Sequence, residues 1–417
     1  MTQIINEEQL DYCDVLIKPK RSTLNSRSEP DIYRDYKFKW TNRVIHGNGL
    51  TVANMATTGT FAVAKVMQQN RMFCCLHKHY EFNELKEFLE ENSKATISKE
   101  VMLGNLKTVS QEVIGNDYVF VSTGIKDGDY EKICKVLKLG LCKNLCIDIA
   151  NGYISKLIDF VKKIRKKFPD LIIMVGNVVT GDMVQDLILA GADIVKCGIG
   201  SGANCTTRRM VGIGRPQLST NMECAEAAHA VDGMICADGG INCWGDVCKA
   251  YGSGADFVMV GSMVAGTDEA DGDIIVKQYF SPENEIEKPD SWVSVDGTIH
   301  STDDEPNKPD DAIWLYNDSS KPNPKIIEKK FKLAYGMSSK YAQDKHWGGM
   351  KDYRASEGII TLKPYVGSLQ EQLNEYKGSL RSCMTYVNAK SLKNLAKVCS
   401  FYKVNRILNN DGKGIQI

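Results

Sequence analysis

Eight short apolar runs recur along the chain with helical segments between them, and this alternation constrains the fold more than any other feature. The runs are residues 50–55, 72–76, 118–122, 145–149, 171–175, 193–197, 234–237 and 257–260. Between them lie amphipathic stretches such as 153–168, where Ile154, Leu157, Ile158, Phe160, Val161 and Ile164 follow helical spacing with lysines opposite. Strands alternating with helices imply a parallel sheet. Because the runs are apolar throughout, their strands are expected to be buried on both faces. Eight such units predict an α/β fold, a closed (β/α)8 TIM barrel; the alternative is a doubly wound open sheet, since strand count does not prove closure.

Polar and glycine residues cluster just after the runs, on what would be the active-site rim of a barrel. They are Asn54, His77-Lys78-His79, Asp148 with Asn151-Gly152, Gly176-Asn177, a glycine-rich stretch at 198–209, Asp238-Gly239-Gly240 and Gly261-Ser262. Two regions break the rhythm. Residues 92–116 are longer than one connection needs, which predicts an extra turn or short helix. Residues 271–330 shift to Pro, Asp, Glu, Asn and Ser, with runs at 291–295, 312–316 and 326–333 that could pair as strands. The chain therefore reads as a single barrel domain, 1–417, with 271–330 inserted at the rim as a hairpin or flexible excursion.

Composition narrows the function classes. Lysine plus arginine number 52 and aspartate plus glutamate 52, so no global field attracts nucleic acid or an anionic membrane. The first fourteen residues are acidic and polar, and no apolar run has bilayer-spanning length, which predicts a cytoplasmic protein. Fourteen cysteines without close, even spacing fit a reducing compartment better than a disulfide framework.

Most of these cysteines sit in apolar runs and read as small buried hydrophobes. Cys205 does not. It lies in Gly198-Ile199-Gly200-Ser201-Gly202-Ala203-Asn204-Cys205-Thr206-Thr207-Arg208-Arg209, a turn rich in glycine and free amides. Backbone donors and the two arginines are expected to favour its thiolate, the form that acts as nucleophile. Asp238-Gly239-Gly240 and Gly261-Ser262, at the ends of the last two strands, have the position and composition of a phosphate cradle. Asp238 itself suits ribose hydroxyls better than a phosphate.

Together these residues resemble the family of IMP dehydrogenases and GMP reductases, and GMP reductase more than its sister. The resemblance rests on residues 14–22 and 24–27, His77 to Tyr80, Asp148 to Tyr153 and Gly176 to Thr180. It continues through the cysteine loop to Gly214-Arg215-Pro216-Gln217, Ala237 to Gly240, Gly336-Met337-Ser338-Ser339 and 353–358. It implies a purine nucleotide whose C2 lies beside Cys205, with GMP reduced to IMP and ammonia by NADPH through a thioimidate. Thr207 and Glu357 are implied as the proton relay. Implied nucleotide contacts are Asp238, Gly239, Gly240, Gly261 and Ser262, then Gly336, Met337, Ser338, Arg354, Ser356 and Gly358. Implied dinucleotide contacts are Ser26, Arg27, Lys78, Asp148, Ile149, Ala150 and Tyr353, with Ser382, Cys383, Met384 and Thr385, some across a subunit boundary. Carbonyls of Gly200, Gly202 and Cys205 match a monovalent-cation (K+) site, and the family implies a homotetramer. Residues 331–417 would then complete the active site and the subunit contacts.

The sister activity, NAD-dependent oxidation of IMP to XMP, needs an Arg-Tyr pair on a flap to activate water. Between Met337 and Tyr353 the chain offers Tyr341, Lys345, His346 and Trp347 but no such pair. Ser201, Arg215 and Ser262 stand where reductases usually carry Pro, Tyr and Gly, and are expected near the base and phosphate. Asn204 is usual for neither activity. A retired barrel that binds nucleotide as a scaffold is a third reading, against which Cys205, Thr207 and Glu357 stand together. Deleting residues 282–321 is expected to leave a folded barrel; an insoluble or unfolded product, seen by circular dichroism, would show the insertion to be integral.

Overall fold

The computed structural model describes residues 4–103, 106–280, 291–293, 299–301, 313–315, 326–352 and 355–404. Eight parallel strands close into a barrel. They are β1 (Leu50–Val52), β2 (Phe73–Cys75), β3 (Val119–Thr123), β4 (Asn144–Asp148), β5 (Ile172–Val178), β6 (Ile194–Cys197), β7 (Met234–Asp238) and β8 (Phe257–Val260). Each pairs with its neighbour in sequence, and β8 returns to β1 through Val258 opposite Leu50. Every expected apolar run carries one of these strands, so the doubly wound alternative falls.

Strand side chains alternate between two faces. Phe73, Phe120, Cys146, Ile172, Met174, Ile194, Cys236, Phe257 and Met259 point inward and fill the barrel. The residues between them, such as Cys74, Val119, Leu145, Ile173, Val195, Ile235 and Val258, belong to the outer layer packed beneath the helices. Double burial is why the runs read as continuous rather than alternating. The inward parity continues to Asp148, Lys196 and Asp238, two residues beyond Cys146, Ile194 and Cys236. The fill therefore becomes charged at the C-terminal mouth.

Seven helices follow the first seven strands: α1 (Phe61–Gln69), α2 (Phe82–Asn92), α3 (Asp127–Lys138), α4 (Ser155–Lys167), α5 (Gly181–Leu189), α6 (Gln217–His229) and α7 (Trp244–Gly252). In α4 the expected stripe is buried at Leu157, Phe160, Val161 and Ile164. The eighth, α8 (Leu369–Tyr386), packs between α7 and α1 and closes the outer ring. More than a hundred residues thus separate β8 from its helix, and among them Gly261, Ser262, Gly336, Met337, Ser338 and Glu357 stand at the barrel mouth.

The region 92–116 holds neither an extra turn nor a helix alone. After α2 it forms an antiparallel hairpin, Thr96–Leu103 with Leu106–Val113, in register from Thr96 opposite Val113 to Leu103 opposite Leu106. Thr96, Ile97, Val101, Thr108, Val109 and Val113 are β-branched, which suits a pleated ladder better than a helix. Residues 274–331 form a compact unit separate from the rest of the chain. Within it Ser291–Val293 is the middle strand of an antiparallel sheet flanked by Ile299–Ser301 and Ile313–Leu315.

A hairpin of Arg34–Lys37 and Val44–Gly47 closes the N-terminal end of the barrel. Its Tyr36 is fully buried and packs on Phe257 at 4.6 Å and edge-on to Phe73 at 6.0 Å. Phe257→Ala is expected to remove about 3–5 kcal/mol of stability by opening a cavity in this cluster; denaturant unfolding with a midpoint like the wild type would show the cluster to be dispensable.

Candidate active site

The loop after β6 can lie close to the turn after β7 only because both are built on glycines with positive φ. Gly198 has φ +150° and Gly239 φ +107°. A Cβ on Gly198 would collide with the Asp238 carbonyl, and one on Gly239 with Ser201 Oγ. Hydrogen bonds then join the turns. The Gly240 amide donates to the Ser201 carbonyl at 2.8 Å, and Ser201 Oγ donates to Gln217 Oε1 at 2.6 Å. Gln217, fully buried at the start of α6, donates in turn to the Cys197 carbonyl at 2.7 Å.

Cys205 emerges from this loop half-buried. Its Sγ lies 3.1 Å from Thr207 Oγ1, and that hydroxyl donates to Glu357 Oε2 at 2.8 Å. Since Thr207 spends its only proton on the carboxylate, it accepts from the thiol. The backbone holds the same register. Cys205 bridges Gly358, the Thr206 amide donates to the Glu357 carbonyl at 3.0 Å, and the Ile359 amide donates to the Asn204 carbonyl at 3.1 Å. Asn204 adds a side-chain tie, its Oδ1 accepting from Thr361 Oγ1 at 3.0 Å. Two segments far apart in sequence therefore meet as a short ladder with the thiol at its edge.

The arginines expected to act on this sulfur are turned elsewhere. Arg208 pairs with Asp11 at 3.1 Å, and Arg209 is exposed. The sulfur's polar neighbour is the Thr207 hydroxyl instead. Two of the dehydrogenase-like residues stand behind the cavity wall. Ser201 braces the turns as described, and Arg215 is held by Glu223, by Gln9 at 2.7 Å and by the Val179 carbonyl at 3.1 Å. Neither lines the cavity; Ser262 does.

That cavity, of about 490 Å³, opens at the barrel mouth. On its wall stand Cys205, Thr207 and Glu357. Asp238, Gly239, Gly240, Gly261, Ser262, Gly336, Met337 and Ser338 share it, as do Lys78, Asp148, Ile149 and Ala150. Ser356 and Gly358 sit just behind, with Ser356 Oγ accepting from the Lys340 amide at 3.2 Å. Tyr353 and Arg354 lie outside the described residues. Ser26, Arg27 and the 382–385 group are not brought to this cavity. Arg27, Ser382 and Cys383 line a separate, open depression of about 890 Å³, Ser26 bonds Ser28, and Thr385 donates back to Arg381 within α8. Met384 is buried in the core.

Three features escaped the sequence reading. Lys196, only 2% exposed, donates to Asp148 and lies 3.3 Å from Asp238. Burial works against its charge, yet the Asp148 and Asp238 carboxylates hold its pKa well above the ordinary lysine value. Asn177 donates to Asp238 Oδ2 at 2.8 Å. His79 stacks on His346 at 4.1 Å; burial first and His346 second push its pKa down to about 3, so the ring is neutral. A lysine inside an apolar run was the visible signal for the first.

Of the three carbonyls matched to a cation, Gly202's already accepts the Cys205 amide at 3.0 Å. Among the described residues no cluster of His, Cys, Asp and Glu could hold a metal, and no helix is long and apolar enough to cross a membrane.

The family model for the IMP dehydrogenase / GMP reductase domain matches residues 9–282 and 319–412. A protein of Mus musculus named GMP reductase 2 is 38% identical over 410 residues, 98% of each chain. GMP reductase of Aliivibrio fischeri is 41% identical over 409 residues, again 98% of each, and that of Caenorhabditis elegans 38% over 411 residues, 98% of this chain and 96% of its own.

Asn204→Ala is expected to loosen the ladder beside the thiol by about 1–2 kcal/mol, the value of one buried hydrogen-bonded group. Amide exchange at Thr206 and Ile359 should then quicken roughly tenfold. Unchanged exchange, read by mass spectrometry, would remove Asn204 from that bracing role.

Proposed function

The chain belongs to the IMP dehydrogenase / GMP reductase family, and on that premise we propose that it is a GMP reductase, converting GMP, NADPH and two protons to IMP, NADP and ammonium. The observation that carries this reading is the unbroken chain from Cys205 Sγ through Thr207 Oγ1 to Glu357 Oε2. A thiol, a hydroxyl and a carboxylate in series join a nucleophile to a route for protons.

In the proposed reaction the purine nucleotide sits with its phosphate at the glycine turns and its ribose hydroxyls donating to Asp238. Cys205 gives up its proton along Thr207 toward Glu357. Its sulfur bonds C2 of the guanine ring, and the same relay returns a proton to the amine as the C–N bond breaks. Ammonia leaves and a thioimidate on Cys205 remains. Hydride addition at C2 followed by C–S cleavage restores the thiolate and gives IMP. Covalent addition divides one difficult substitution into two easier displacements.

The residues present fit a nicotinamide dinucleotide. The cavity lies within the about 300–1,000 Å³ typical of ligand sites, and Lys78 puts a cation on its wall beside the backbone of Asp148, Ile149 and Ala150. These residues would hold it, and when bound it supplies the hydride. The carbonyls of Gly200, Gly202 and Cys205 do not make a complete cation shell, and no step is routed through K+.

The homotetramer follows from the family resemblance, and in it Arg27, Ser382 and Cys383, which stand apart from the cavity in a separate depression, would meet the dinucleotide of a neighbouring copy. Fourteen free cysteines support a reducing, cytoplasmic setting.

Mixed with GMP and NADPH, the protein is expected to consume the absorbance of the reduced cofactor. Reduction of NAD with IMP instead would make it the dehydrogenase, and nucleotide binding without either turnover a scaffold. Cys205→Ala should bind nucleotide and lose turnover, while Thr207→Val and Glu357→Gln lower kcat by roughly 10²–10⁴-fold. Near wild-type turnover in Cys205→Ala would overturn the assignment.

A further inference from the structure

Lys196 is a charge in a place the fold does not need one. It occupies an inward position of β6 directly above Ile194, where an apolar side chain would simply extend the barrel fill. Its neighbour in register on β5 is Gly176, where a Cβ would come within 2.6 Å of Lys196 Cβ. Gly176 is also the register partner of Asp148 on β4, so the missing side chain opens the gap through which the lysine reaches a strand two places away. On its other side it meets Asp238 Oδ2 at 3.3 Å, an oxygen that also accepts from Asn177. A buried ion pair adds little net stability, because desolvation offsets most of the attraction. Both carboxylates, however, are on the cavity wall.

We propose that Lys196 is a positioning residue shared by the two ligand sites, its single ammonium fixing Asp148 on the dinucleotide side and Asp238 on the purine-nucleotide side. This rests on the functional reading above. Without the ammonium, two half-buried carboxylates at the mouth lose the cation that lies between them; Asp148 keeps only Lys78 and Asn54 near it and Asp238 only Asn177, so each is held less firmly in the orientation its ligand requires. Loss of the one cation therefore weakens both ligands together, whereas a residue of one subsite would weaken one.

The test is steady-state kinetics on the full chain, wild type against Lys196→Met, with thermal melting in parallel. Both KM values, for GMP and for NADPH, are expected to rise by about tenfold or more, with kcat moving far less and the melting temperature held. A KM change confined to one ligand, or to neither, overturns the proposal. Wild-type protein inactive with GMP and NADPH overturns the functional reading itself and this inference with it. Should Lys196→Met not fold, Lys196→Met/Asp148→Asn removes the facing pair of charges and keeps the question open to measurement. There the KM for GMP stays raised at least about fivefold, since Asp238 still lacks its ammonium, and a wild-type value overturns the proposal.

Discussion

Closure of the eight-stranded sheet is the constraint on which the rest of this structure depends. Once β8 pairs with β1, no strand edge remains, and every inward side chain must be accommodated within one narrow space. The aromatic residues Phe73, Phe120 and Phe257 fill it low down, with Tyr36 as a stopper, and sulfur-containing and aliphatic residues fill the middle. Only at the mouth does the parity reach Asp148, Lys196 and Asp238. A charged layer is tolerable there because its members neutralise one another and one side of it is open to the cavity.

The surroundings of the Cys205 thiol depend on a second closure, between the loop after β6 and a segment that arrives after the 274–331 unit. Neither piece makes a site alone. The 198–205 turn carries the sulfur but no carboxylate, while Glu357 lies on a stretch with little regular structure. Backbone bonds through Asn204, Thr206, Gly358 and Ile359 set the pair in register, and Asn204 adds its side chain. The asparagine next to Cys205 is thereby explained as a brace, its side chain tied to Thr361. Ser201 and Arg215 have the same character. Residues that look like substrate determinants from their neighbourhood in sequence are internal struts here, two of the three dehydrogenase-like positions standing behind the cavity wall.

Much of the site was legible because its members follow strand ends. Cys205, the 238–240 turn, Gly261-Ser262, Lys78 and Asp148 all stand at or beyond the C-terminal end of a strand, and all line the same cavity. What was not legible depends on direction and distance. Arginines two and three residues beyond a cysteine's next neighbour look like activators of it, yet the short helix Thr207–Met210 turns Arg208 toward Asp11. Lys196 sat within a run read as wholly apolar, and no local pattern tells that a lysine there finds two carboxylates. The hairpin at 96–113 was missed for another reason. Its β-branched residues were present without a clean alternation, and the length of the connection favoured reading an extra turn or short helix.

The order of apolar runs determined by itself a parallel α/β fold, the eight strands of its sheet and where Cys205 falls along it, because periodicity and burial are local properties of consecutive residues; closure of that sheet was decided by the pairing of β8 with β1. Which groups touch was decided only in three dimensions. The hydrogen-bonded chain from Cys205 to Glu357, the sharing of one ammonium by Asp148 and Asp238, and the pairing of Arg208 with Asp11 all join residues tens to hundreds of positions apart. Their partners are chosen by strand register and turn geometry, which no short stretch of sequence encodes.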